Sequence, residues 1–158
     1  MKGLITRSLG AALLLAAAGA ATARNDKLLL PIEPALQSQG TRQMLAQDLP
    51  LRFGAASAKG LEVLTTVQVH AVVDPWGNST PYQTRRDRLT DAQVCLAAFR
   101  KAVVDLQQRA RSVGGTAIAG IVSYYNAVEM DSPAVYECHV GHTRAVEIGR
   151  ASCRERVL

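Results

Sequence analysis

Between Asp91 and Val113 the apolar residues Cys95, Phe99, Ala102, Val103, Leu106, Ala110 and Val113 recur at spacings of three and four. That is the period of one helix face, and it predicts a single amphipathic helix over 91–113. Thr90 stands at the N-cap, with Gln93 where a capping box places Glu or Gln. Arg100, Lys101, Gln107, Gln108 and Arg111 fall on the side expected to face water. Gly114-Gly115 ends the helix, because glycine tolerates the left-handed conformation of a helix C-terminus. A helix with one apolar stripe must bury it against another layer, and the flanking sequence supplies strands.

Leu61, Val63, Thr65, Val67, Val69, Ala71 and Val73 alternate with more polar residues, the period of a half-buried strand over 61–73. Asp74 to Asn78 is turn chemistry, followed by a polar stretch with Arg85, Arg86 and Arg88 that reads as a solvated loop. A second strand is expected over 116–125, with Ala117, Ala119 and Ile121 on one face and Ile118, Val122 and Tyr124 on the other. A loop over 126–133 then leads to a third strand over 134–140. Its Tyr136, Cys138 and Val140 point inward, and its Glu137 and His139 point outward. A helix beside a strand and a two-strand hairpin is an α+β layer: one long helix on a small, mostly antiparallel sheet. One more strand would complete it.

Residues 24–60 are broken by Pro31, Pro34 and Pro50 and read as an irregular lead-in. A short helix over about 33–45 and a brief extended piece over 49–53 are its only expected elements.

Both ends read as separate from the domain at 61–146. Residues 1–23 have the pattern of a signal peptide: Lys2 and Arg7, an uncharged run from Leu9 to Ala21, and the small residues of Ala21-Thr22-Ala23 before Arg24. The run is too short for a membrane-spanning helix, so no stable membrane insertion is expected after cleavage, and the mature chain belongs in the periplasm or the medium. Residues 147–157 match, codon by codon, the translation of a common short-read sequencing adapter. They are read as an artefact tail (147–158) that displaces the native final strand; a genuine basic tail is the alternative.

These boundaries change the charge. The whole chain is +5, but without the leader and tail 13 basic and 11 acidic residues remain, a net charge of +2. That is no basic footprint for nucleic acid. With 48% hydrophobic and 20% charged residues the chain is not a disordered one.

Setting Cys153 aside with the tail leaves Cys95 and Cys138. One lies on the helix stripe and the other on the inward face of a strand, which in an exported protein points to a disulfide; two buried free thiols are the alternative. Cys138-His139-x-x-His142 carries metal-ligating atoms, with His70 as a remote third ligand for a transition metal such as zinc. Its spacing matches no zinc pattern, and on a strand Cys138 and His139 face opposite ways, so solvent-facing histidines are the expectation. No phosphate loop, dinucleotide fingerprint or nucleophile elbow occurs, and no paired carboxylates suggest acid–base work. An enzyme would need a cleft gathering His70, Tyr82 or Asp87.

Leu106-Gln107, the run Gly114-Gly115-Thr116-Ala117-Ile118-Ala119-Gly120-Ile121-Val122-Ser123-Tyr124-Tyr125, and Tyr136-Glu137-Cys138-His139-Val140-Gly141 together resemble a family of small exported bacterial proteins often labelled "excinuclease ATPase subunit". Thr116 and Val140 stand where that family has Asn and Ala. The label itself finds no support, since the chain has no phosphate loop and no paired Cys-x-x-Cys elements. More distantly, the helix, the Gly-Gly turn and the following strand resemble the α+β domain of the Rcs envelope-stress lipoprotein and of YbjQ-type proteins. The resemblance implies a disulfide-stapled α+β domain of the envelope. The functional expectation is a non-enzymatic, stress-related protein that binds an envelope partner without a cofactor. A metal-binding module using His139 and His142 is the alternative.

Overall fold

The computed structural model describes residues 24–75, 88–141 and 145–154. Residues 1–23, Arg85, Arg86, Tyr82, Asp87 and His142 lie outside the described residues.

The helix forms as its pattern predicts. Helix α3 (Asp91–Ser112) follows two six-residue helices, α1 (Ile32–Gln37) and α2 (Gln39–Met44). Thr90 Oγ1 accepts the Gln93 N–H at 3.3 Å, and Gln93 Oε1 accepts the Thr90 N–H at 2.8 Å. This reciprocal box satisfies two N-terminal donors. At the other end Gly114 adopts φ +76°, and the Gly115 N–H returns to the Ala110 carbonyl at 2.8 Å. Val94, Phe99, Val103 and Leu106 are fully buried beneath the helix, each stabilising the fold by about 1.5–3 kcal/mol. Two expectations for this helix fail. Val113 is exposed because the helix has already ended, and Gln107, expected to face water, is buried.

Among the described residues seven strands make one sheet: β1 (Asp26–Pro31), β2 (Leu51–Phe53), β3 (Val63–Val73), β4 (Ala117–Tyr125), β5 (Val128–Met130), β6 (Val135–Val140) and β7 (Ala145–Arg154). The path runs β1-β6-β7-β4-β2, with β3 on the second side of β7 and β5 beside β4. Every pairing is antiparallel except β2 with β4. The fold is therefore α+β, with one long helix lying across a mostly antiparallel sheet.

The lead-in differs in part from its expectation. The expected extended piece over 49–53 forms as β2, which pairs with β4, and the expected helix over about 33–45 forms as α1 and α2; the unexpected element is β1, which pairs along the whole of β6. A 3₁₀ turn (Ala55–Ala58) follows β2. The prolines fit because Pro31 ends a strand at the sheet edge, where its missing N–H costs no ladder bond.

The tail differs more. The final strand is not missing: residues 145–154 form β7, and the folded unit continues past Val146. Strand β7 pairs with β3 along one side, and with β6 and then β4 along the other. Small residues suit that central place. Ala145, Gly149 and Ala151 are buried, and a Cβ on Gly149 would stand 3.4 Å from Leu106 Cδ1.

Strands β4 and β6 do not form the expected hairpin. Asn126 and Ala127, both at positive φ, instead turn β4 directly into β5 within the stretch expected to be a loop. Gly120, at φ +65°, carries a bulge between Ala119 and Val122. The bulge breaks the alternation, so Ile118 and Ile121 both enter the core under α3. The turn at Ala55–Ala58 packs over the bulge, with Ala58 Cβ only 3.0 Å from where a Gly120 side chain would begin.

Candidate functional site

Both faces of β6 are buried, and they carry different chemistry. Tyr136, Cys138 and Val140 face α3 in one apolar cluster with Phe99 and Val103. There Cys95 and Cys138 form a disulfide with Cα atoms 5.9 Å apart, and the Phe99 and Tyr136 rings lie 4.4 Å apart between centroids. The sulfur link joins the first turns of the long helix to the strand beside the sheet's centre.

The opposite face holds Glu137 and His139, two residues apart and so on the same side of the strand. Each is only 8% exposed. The expectation of a solvent-facing His139 is corrected here, because neighbours distant in sequence cover it. Tyr125, at the end of β4, stacks on the imidazole with centroids 3.5 Å apart and an interplanar angle of 11°. Lys27 lies opposite His139 in the β1–β6 register and sends its Nζ to Glu137 Oε2 at 2.5 Å. The second carboxylate oxygen, Oε1, is 2.7 Å from His139 Nε2.

The carboxylate is thus held from two sides. Burial pushes the Glu137 carboxyl up, but the hydrogen bonds from Lys27 and His139, with the attraction of their charges, outweigh it and hold the group below the usual carboxylate range. With Nε2 engaged by Glu137, Nδ1 is the other ring nitrogen. That atom is buried and has no hydrogen-bond partner among the described residues. The backbone joins the arrangement where β4 and β6 part along the edge of β7: the Glu137 N–H donates to Ser123 Oγ at 2.9 Å.

A carboxylate that orients an imidazole is the arrangement of a general base or of a metal-bound histidine. Either role needs the free nitrogen to meet a substrate or an ion, whereas here it is enclosed. The structure brings together Lys27, Tyr125, Glu137 and His139; of these, sequence reasoning singled out His139 alone as a ligand. Glu137-x-His139 was legible as a same-face pair, but nothing local marks Lys27 or Tyr125 as its partners.

Of the other predicted ligands, His142 lies outside the described residues, and His70 is not gathered with His139. His70 is exposed on β3 and in register with Ile148, whereas His139 is in register with Val146. Two strand spacings and a two-residue offset separate their Cα atoms by about 12 Å. Among the described residues no group of three His, Cys, Asp or Glu side chains is placed to hold a metal ion.

A second buried polar residue organises the opposite rim. Gln107 Oε1 accepts the Ala46 N–H at 2.8 Å, while its Nε2 donates to the carbonyls of Ala46 at 2.9 Å and Leu49 at 2.8 Å. Beside it an open groove of about 360 Å³ runs between Leu36, Leu45, Leu51 and Arg42. Among the described residues Arg42 is the one titratable side chain lining that groove. Among the described residues no helix is long and apolar enough to cross a membrane. Compared with protein-family models, curated proteins and solved structures, the chain finds no match in any of the three.

Proposed function

We propose that the chain is an exported, non-enzymatic domain of the bacterial envelope that acts by binding another protein. The observation that carries this reading is the Cys95–Cys138 disulfide, which suits an oxidising compartment and fits the signal pattern of residues 1–23. The polar clusters support a binding role over a chemical one. Glu137 and His139 are occupied by each other, by Lys27 and by Tyr125, and Gln107 is occupied by backbone. The described groove offers one cation and no acid–base pair. Involvement in envelope stress is the finer part of the proposal and rests on the sequence resemblance alone.

The test is fractionation of cells expressing the full chain, followed by in vivo crosslinking and mass spectrometry of the periplasmic fraction. The expected result is a processed chain beginning at Arg24 that crosslinks reproducibly to one envelope protein. A chain that stays in the cytosol with residues 1–23 attached contradicts the proposal.

A further inference from the structure

Four strands of the sheet have a side with no pairing among the described residues, and they differ in how that side is guarded. Strand β1 carries Asp26, Lys27 and Pro31; β2 is three residues long; β5 is three residues long and carries Glu129. Charge, proline and shortness are the usual means by which a sheet edge is kept from pairing with another chain. Strand β3 has none of them. It runs for eleven residues, Val63–Val73, without a Lys, Arg, Asp, Glu or Pro. It pairs with β7 along one side over its whole length, and with nothing on the other among the described residues. Leu64 and Val72, on its face away from α3, are 39% and 40% exposed.

We propose that the edge of β3 without a pairing among the described residues pairs antiparallel with β3 of a second copy of this chain, so that one sheet runs through a two-fold dimer. A strand edge displays alternating N–H and C=O groups whose natural complement is another strand. A foreign strand gains specificity from charges or pockets along the edge, and β3 offers no Lys, Arg, Asp or Glu to read. Its own copy needs none: a two-fold pairing sets uncharged, β-branched residues against each other without the penalty of like charges directly opposed. The seven Val and Thr residues among the eleven suit such cross-strand contact. The inference rests on sheet topology and strand composition, and stands or falls separately from export or an envelope partner.

The test is sedimentation equilibrium of the full, oxidised chain over a wide concentration range, with Thr66→Lys/Gln68→Lys beside it and Gln108→Lys as control. Thr66, Gln68 and Gln108 are all exposed, so the variants should fold, and circular dichroism melting confirms that they do. The expected result is a reversible dimer whose dissociation constant rises at least tenfold in the double variant and stays within twofold in the control. Hydrogen exchange of β3 should also slow as concentration rises. A monomer at every concentration overturns the proposal, including one whose β3 amides are protected by the chain's own residues. A dimer that the double variant leaves unchanged overturns it as well.

Discussion

Gln107 holds both backbone groups of Ala46, accepting its N–H at 2.8 Å and donating to its carbonyl at 2.9 Å. A side-chain amide here takes the place of a neighbouring strand. It anchors the turn between α2 and β2 to the middle of the long helix, where the expected pattern had only a water-facing residue. Replacing it leaves buried backbone groups without partners. Gln107→Ala is expected to lower unfolding free energy by about 2–3 kcal/mol and to open the 46–50 segment to proteolysis. Urea denaturation and limited proteolysis check both.

The Glu137 carboxylate predicts a pH dependence with a definite sign. Its folded-state pKa lies below the unfolded value of about 4.3. It therefore contributes stability above that pH, and the contribution disappears as pH falls through the folded value. Glu137→Gln should lose about 1–2 kcal/mol at neutral pH and show a flatter acid limb below about pH 4.5. Denaturation midpoints measured across that range test it; parallel acid limbs for wild type and variant would exclude the network as the cause.

Strand β7 predicts the effect of a truncation. It is flanked by β3 on one side and by β6 and β4 on the other, so removing 147–158 divides the sheet through its centre. The truncated chain is expected to lose cooperative thermal unfolding, which calorimetry detects directly. Retention of a sharp transition would show that β3 and β4 close without β7. We propose that the adapter-like residues stand in a place that a native strand fills. An unbroken genomic read through codons 147–157 would reject that proposal.

How much of this was legible depended on whether a signal was local. The stripe from Cys95 to Ala110 and the alternation through β3 are each set by burial against a single layer, and both elements form where the periods place them. The two cysteines were readable because each sits on a face whose direction its own element fixes. Strand β1 was not readable, since six residues carry little period; β2 was legible only as an extended piece, because its pairing is decided by β4. Gly120 inverted the expected facing of Ile121 because a bulge inserts one residue, which a period-two count cannot anticipate. The burial of His139 needed Tyr125 from a different strand and Lys27 from the start of the domain. Gln107 and His139 were misplaced because the residues that bind or cover them, Ala46 and Tyr125, are remote in sequence.

The account rests on a long helix fastened to the sheet by sulfur. The 43-residue separation between Cys95 and Cys138 implies a stabilisation of about 4 kcal/mol from the constraint on the unfolded chain. The direct measurement is mass spectrometry of the chain recovered after export, alkylated and digested without reduction. The account predicts a single crosslinked species joining the Cys95 and Cys138 peptides, which separates on reduction. Two alkylated thiols at those positions in the folded, exported chain would contradict it.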